Sequence, residues 1–365
     1  MKTFQHGFQF NNGVELKNRV LLAPLTNTQS HEDGTLGDDE LRWLEAHAKG
    51  GFGGVITAAS HVQETAKGYP GQLGSFSDIH IPGLRRIAEM AKQNAALAIL
   101  QLIHGGRRSP SALTGVQPTS ASAVESSYPG SETPRALTEP EIEQIIAAFA
   151  AAAGRAHAAG MTGIELHGAN GYLFTQFHST ETNHRGDQWG GSNFNRTRLL
   201  RETVAAIRKV VPASFLVGVR VLAEHSAAER GFDIDESAEL IGWLSELGTS
   251  YIHIAQPSFR ARSWKYPESE ETNLHRLAKV VRNGVAVVAA GGIRVGQDAE
   301  DALGAGADLV AVGKAAITTP DWPVKALDDG FSPSQFPLTE AELKAAGITR
   351  ELIRYLRMIN LVKEA

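Results

Sequence analysis

The sequence predicts a (β/α)8 barrel with an N-terminal β-hairpin plug and a C-terminal helical tail. Three observations carry that expectation. Eight short, nearly continuous apolar runs recur along the chain, and segments with apolar residues at helical spacing separate them. Runs that are apolar throughout are buried on both faces, as parallel strands are, and eight of them close a barrel without a free edge. The competing fold, an open doubly wound sheet, announces itself by a glycine-rich turn after its first strand, whereas Thr26-Asn-Thr-Gln29 contains no glycine.

The elements follow in order. Phe8 to Leu16 is two alternating segments around Asn12-Gly13, a favoured two-residue hairpin turn, placed to plug one end of the fold. Asn18 to Leu25 is the first buried strand, followed by a helix over Asp38–Lys49 and a second apolar run over Val55–Val62. Pro82–Asn94 places Leu84, Ile87, Ala88 and Ala91 on one helical face, and Leu97–His104 is the third strand. Thr138-Glu-Pro-Glu141 is a capping box with proline in the first turn; its helix buries Ile142, Ile145, Ile146, Phe149 and Ala153 and ends at Gly160. The fourth strand starts at Gly163 and stops at His167. Helices over Asn195–Val211, Ser237–Leu247, Leu274–Arg282 and Asp298–Leu303 then alternate with strands over Phe215–Leu222, Tyr251–Ala255, Val285–Ala290 and Asp308–Val312. Leu343, Ile348, Ile353, Leu356 and Ile359 form the apolar face of a tail that packs on the barrel. The expected organisation is one domain over 1–365, its barrel spanning about 18–330 and its tail about 337–365.

Composition narrows the chemistry. The 365 residues carry a formal charge of -5, with 42% hydrophobic and 7% aromatic residues, an ordinary globular balance without a basic face for nucleic acid. Cysteine is absent, which excludes disulfides, thiolate nucleophiles and cysteine-bound zinc or iron–sulfur clusters. The first residues lack the apolar core of a signal peptide and no run reaches membrane-spanning length, so a cytoplasmic protein without a membrane partner is expected.

Catalytic chemistry concentrates at the end of the fourth strand. His167 and Asn170 are spaced to converge two hydrogen-bond donors on one oxygen, and the Tyr172 phenol follows two residues later. That set suits a reaction that builds negative charge on a carbonyl oxygen and then protonates a neighbouring carbon. Packing roles compete for each residue. Strands seven and eight end in Ala290-Gly-Gly-Ile-Arg294 and Val312-Gly-Lys314, where Gly291, Gly292 and Gly313 let backbone amides approach an anion, a nearby helix start adds its dipole and Lys314 supplies charge. A tight turn is the plainer reading. Gln101 and Arg220 lie inside strands three and five, where a flat heteroaromatic with carbonyls and ring nitrogens would meet them; an internal Arg220–Glu165 pair is the alternative. Thr26 can donate to the same ligand. Two connections exceed what closure requires, Gly105–Leu137 and Gln256–Thr272; the second holds Phe259, Arg260, Arg262, Trp264, Lys265 and Tyr266 and reads as a lid.

Five motifs in register resemble the Old Yellow Enzyme family of FMN-dependent ene-reductases. They are Leu16-Lys-Asn-Arg-Val-Leu-Leu-Ala-Pro24, Gln101-Leu-Ile-His-Gly-Gly-Arg107, His167-Gly-Ala-Asn-Gly-Tyr-Leu-Phe-Thr-Gln-Phe177, Asn183-His-Arg-Gly-Asp-Gln-Trp-Gly-Gly-Ser192 and Ala289-Ala-Gly-Gly292. The resemblance covers nearly the whole chain. It implies tightly bound FMN with its phosphate at Gly291, Gly292, Gly313 and Lys314, its pyrimidine end at Gln101 and Arg220, and Pro24, Thr26 and Ala58 beside the ring. It further implies that His167 and Asn170 hold the activating oxygen of the substrate, that Tyr172 donates the proton and that Trp264 contacts substrate. NADH or NADPH would supply the hydride and an electron-poor alkene would accept it. The chain departs from the family pattern at Lys314, where arginine is usual, at Trp189, where tyrosine is usual, and in the residues after Pro24. The residues by themselves also leave open a phosphosugar aldolase or isomerase with Lys314 as Schiff base, and a flavin-binding barrel without catalysis.

Overall fold

The computed structural model describes residues 3–126 and 131–363; residues 127–130 of the long third connection, the first two residues and the last two lie outside it. Eight parallel strands form a ring: β1 (Val20–Leu22), β2 (Gly54–Ile56), β3 (Leu97–Ile103), β4 (Gly163–Gly168), β5 (Leu216–Leu222), β6 (Tyr251–Ala255), β7 (Ala286–Ala290) and β8 (Leu309–Val312). Val310 of β8 lies opposite Val20 of β1, and β2 pairs with both β1 and β3, which closes the barrel. Around it run α1 (Asp38–Lys49), α2 (Ile81–Gln93), α3 (Glu139–Ala158), α4 (Arg198–Arg208), α5 (Ile234–Glu246), α6 (Asn273–Ala278) and α7 (Gly296–Gly304). No helix among the described residues is long and apolar enough to cross a membrane.

Strand alternation explains the gradient inside the barrel. Successive residues point inward and outward, so Leu216, Gly218 and Arg220 of β5 share the inner face, as do Ile99 and Gln101 of β3. The lower interior is apolar, built from Leu21, Ile56, Ile99, Leu216, Tyr251 and Leu309. Gly218 makes room for the central ring, because a Cβ there would sit 2.0 Å from Tyr251 Cζ. The hairpin seals this end. Phe8 pairs with Leu16, Phe10 reaches Tyr251 at a ring separation of 6.2 Å, and Asn12 Nδ2 donates to the Ala213 and Ser214 carbonyls. Its loop differs from the expected two-residue turn. Phe10 N donates to Val14 O and Gly13 N to Phe10 O, so three residues, Asn11 to Gly13, make the connection, with Gly13 at φ +86°.

Helix boundaries follow their caps. Thr138 N and Oγ1 both donate to Glu141 Oε2 at 2.8 Å, the reciprocal bond of the expected box, worth about 1 kcal/mol. A second box, Asp233 with Glu236, starts α5 three residues earlier than apolar periodicity alone suggests. The second apolar run is also split. After Ile56 the chain bends through Thr57–Ala59 and resumes at Ser60–His61, which pairs with Leu102–Ile103 of β3. The tail folds as α8 (Glu340–Ala345) and α9 (Arg350–Met358), whose Leu343, Leu352, Ile353 and Leu356 form a separate small core with Ile317 and Leu338.

Candidate functional site

The upper barrel interior opens into a cavity of about 390 Å³, within the range of small-molecule sites, roughly 300–1,000 Å³. The β1 end gives it Pro24, Leu25 and Thr26; β3 gives Gln101, β4 and its loop His167, Asn170 and Tyr172, β5 Arg220, and the β8 end Lys314. Nine residues spread over nearly 300 positions therefore meet in one space. Ala58 does not line it, although its neighbour Ala59 does, because the bend after β2 turns that residue inward. Trp264 is elsewhere, in an adjoining cavity.

Beneath the cavity Glu165 joins two partners. Gln101 Nε2 donates to it at 2.7 Å and His253 Nδ1 bonds it at 2.9 Å, with both Glu165 and His253 fully buried. Burial pushes the Glu165 carboxyl up, but His253, the Arg220 charge and the Gln101 bond outweigh it and hold the carboxyl below its usual range. The internal Arg220–Glu165 pair is thus replaced: Gln101 and His253 hold the carboxylate, and Arg220 acts on it only through its field. Arg220 Nε is buried with no hydrogen-bond partner, a cost of 1–3 kcal/mol or more that a ligand carbonyl or ring nitrogen would relieve.

The loop after β4 builds the reactive corner. Asn170 sits at φ +59°, a left-handed turn that asparagine tolerates, and the following Gly171 lies at φ +75°. Together they swing Tyr172 back, its ring 5.0 Å from that of His167. Burial, then the charges of Arg220, His253 and Arg108, drives His167 well below its ordinary value, so the imidazole is neutral at physiological pH; its Nδ1 is buried without a partner. Burial pushes the Tyr172 phenol up against the opposing pull of Arg108, whose guanidinium lies 5.4 Å from the ring centroid. A neutral donor and a protonated phenol therefore face one space.

Gln176 fixes this loop. Its Nε2 donates to Gly105 O at 3.2 Å and Gly171 O at 2.9 Å, and its Oε1 accepts from Arg107 N at 3.1 Å and Ser120 Oγ at 2.9 Å. One buried amide thus ties the loop after β3 to the loop after β4. Sequence reasoning placed Gln176 in a motif without a role. It also missed Arg108, although two consecutive arginines after a Gly-Gly pair were a visible signal. Leu352, Tyr355, Leu356, Ile359 and Leu361 of the tail wall the cavity; the sequence pattern gives Leu356 and Ile359 only a packing role and does not single out the other three.

The glycine turns also carry packing constraints of their own. A Cβ on Gly291 would lie 2.1 Å from Gln256 O, so the loop after β6 requires that glycine, while Gly292 sits at φ +72°, a left-handed conformation that favours glycine. The start of α7 adds little to an anion site there, because Asp298 Oδ2 accepts from Arg294 N and Val295 N and occupies that end. Gly313 and Lys314 remain open to an anion. Lys314 is exposed at the cavity wall and has no carboxylate within ion-pair distance among the described residues. A flat cofactor with carbonyls at one end and a phosphate at the other fits this donor set: Gln101 and Arg220 at the ring, Lys314 at the phosphate.

Comparison with known proteins agrees. The model of the NADH:flavin oxidoreductase / NADH oxidase family matches residues 5–330. The chain is 35% identical over 322 residues to the probable NADH-dependent flavin oxidoreductase YqiG of Bacillus subtilis, covering 87% of this chain and 86% of that protein. Morphinone reductase in complex with tetrahydroNAD superposes with a TM-score of 0.80 at 28% identity, covering 94% of each chain. A 2-naphthoyl-CoA reductase complex superposes with a TM-score of 0.80 at 25% identity over 89% of this chain and 52% of that one, so the present chain spans about half its length. The chain therefore belongs to the NADH:flavin oxidoreductase / NADH oxidase family, the FMN-dependent Old Yellow Enzyme group that its five motifs resemble.

Proposed function

We propose that this chain reduces activated C=C bonds of α,β-unsaturated carbonyl or related electron-poor compounds, taking its electrons from NADH or NADPH in a ping-pong cycle. One observation carries the reading: His167, Asn170 and Tyr172 face the same cavity as Gln101 and Arg220, so an oxyanion site and an acid stand over the place that suits a flat cofactor. The chemistry supplied by bound FMN is hydride uptake from the nicotinamide and hydride delivery to the electron-poor carbon. Arg220 and Gln101 orient the ring end, and Lys314 offsets the phosphate charge. His167 and Asn170 donate to the carbonyl oxygen; each such donor is worth about 3 kcal/mol where charge develops. As hydride reaches the β-carbon, Tyr172 Oη passes its proton to the α-carbon and is reprotonated from solvent, with Arg108 offsetting the transient phenolate. Leu352 and Leu356, both buried in the cavity wall, limit the access of water to this step. His167 and Asn170 offer one pair of donors beside the ring site, which favours donor and acceptor alternating there. Family membership sets aside the aldolase reading of Lys314.

Anaerobic titration tests the proposal. The FMN-loaded protein should lose its yellow absorbance on adding NADH or NADPH and regain it on adding an enone, with one equivalent of saturated product. Bleaching without recovery on any enone would leave a flavin reductase and remove the alkene.

A further inference from the structure

The tail gives the cavity wall a single polar group. Leu352, Tyr355, Leu356, Ile359 and Leu361 line it, and all but Tyr355 are aliphatic. The first four recur at helical spacing, so α9 and its C-terminal cap turn one face toward the cavity. Leu352 and Leu356 on that face are buried, while Tyr355 is half-buried and stands between the cavity and solvent. Two more phenols come near it from other elements. Burial and, behind the opposing pull of Arg108, Tyr355 push the Tyr172 phenol up; burial, followed by Tyr172, Glu40 and, last, Tyr355, raises that of Tyr69 in the loop after Ser60–His61. Tyr69 Oη is engaged with Ala59 O at 3.3 Å, whereas no hydrogen bond to a described residue holds the Tyr355 hydroxyl.

Tyr172 yields one proton for each enone reduced and must regain one before the next. The other ionisable groups of the cavity are poorly placed to return it. Arg108 and Arg220 are guanidiniums, which do not deprotonate in proteins. His167 is neutral with its N–H directed to the substrate oxygen, and Lys314 stands at the β8 end assigned to the phosphate. Tyr355 is the group left. We infer that Tyr355 returns the proton to Tyr172 between turnovers: its Oη–H bond breaks, the proton passes directly or through one bridging water to the Tyr172 phenolate oxygen, and the Tyr355 phenolate takes a proton from a solvent acid. One proton from solvent thus replaces each one delivered to carbon, and no electrons move in this step. The inference rests on the reading that Tyr172 is the acid for alkene reduction. In this role Tyr355 acts through Tyr172 and not on the substrate.

The test uses the FMN-loaded protein and its Tyr355→Phe variant, which keeps the ring and its packing and removes the proton. Tyr69→Phe is the control. Stopped flow measures the first reoxidation of the reduced protein by cyclohexenone and by a quinone, and steady-state assays with NADH or NADPH measure continued turnover on both. In Tyr355→Phe the first enone turnover should keep its rate relative to quinone, while the steady-state enone rate falls about tenfold or more relative to quinone, so that enone reduction shows a burst. Added imidazolium at constant pH should restore part of the lost rate, which a purely structural defect would not allow. No burst in Tyr355→Phe, equal slowing of its first and later enone turnovers, or a matching burst in Tyr69→Phe overturns the inference. If the unmutated protein does not turn over enones, or Tyr172→Phe reduces them at the unmutated rate, the acid role of Tyr172 has failed and the relay with it; a negative Tyr355→Phe result beside a slowed Tyr172→Phe overturns the relay alone.

Discussion

Replacing Gln176 with leucine should loosen the reactive corner as a unit. The side chain makes four hydrogen bonds, two donated to the Gly105 and Gly171 carbonyls and two accepted from Arg107 N and Ser120 Oγ. Leucine has a similar volume, so packing is largely kept while every bond is lost. At about 1 kcal/mol net per neutral bond, with added cost for buried partners left unpaired, the loss is about 3–5 kcal/mol. For 365 residues that corresponds to about 4–6 °C in Tm. The same change frees the turn that carries Asn170 and Tyr172, so binding of a para-substituted phenol, which competes for the His167 and Asn170 donors, should weaken together with the melting temperature. Gln176→Glu supplies the control. It preserves shape but sets a carboxylate against two carbonyls, and should be at least as damaging as leucine. Differential scanning calorimetry and a phenol titration of the FMN-loaded proteins measure both effects. A Tm drop under 1 °C in both variants, with phenol binding unchanged, would refute the idea that this amide sets the geometry.

Three further outcomes are expected. Arg220→Ala should lower FMN retention after extensive dialysis, since the variant loses the cation facing the ring; full retention at an unchanged flavin potential would reduce Arg220 to a counter-charge for Glu165. Leu356→Ala should widen the cavity roof and raise kcat/KM for bulky cyclic enones relative to small linear ones, and an unchanged ratio would make the tail structural only. Stability should fall in mild acid. Burial depresses His61 to about 4 and His104 and His178 to about 3, all below the unfolded value near 6.5. The unfolded chain thus binds more protons between those values, so the contribution is full above pH 6.5 and is lost as pH falls, by at most about 2 kcal/mol per histidine at pH 5. Denaturant titrations at pH 7 and pH 5 would show it, and His104→Gln should flatten the slope.

The barrel was legible because its strands are both apolar and evenly spaced, and because parallel strands with helices between them have few ways to close. The meeting of His167, Asn170 and Tyr172 in one cavity was legible because they lie within six residues of one another. What escaped the sequence was pairing across the fold. Glu165 chose Gln101 and His253 over Arg220 because strand register sets Gln101 directly opposite Glu165, and register is not written in composition. The tail residues Leu352 and Leu356 read as core on any amphipathic helix; only the docking of α9 beside β1, held by Gln29 Nε2 to Thr349 Oγ1 at 2.6 Å, turns them toward the cavity. Gly291 carries a second reason to be glycine that the sequence does not show, the nearness of the Gln256 carbonyl. Trp264 looked like a lid by its place after β6, and its bond to the His225 carbonyl carries it to the neighbouring cavity instead.

The central claim, that Tyr172 is the acid for alkene reduction at a flavin held by this cavity, is tested most directly by following the two half-reactions separately in Tyr172→Phe by stopped flow. Electron uptake from NADH or NADPH needs no proton from the phenol, while the saturated carbon must receive one. The variant should therefore bleach at nearly the unmutated rate and reoxidise normally with a quinone, while reoxidation by an enone slows by about 10²-fold or more. Equal slowing of both half-reactions, or no slowing of either, would contradict the account.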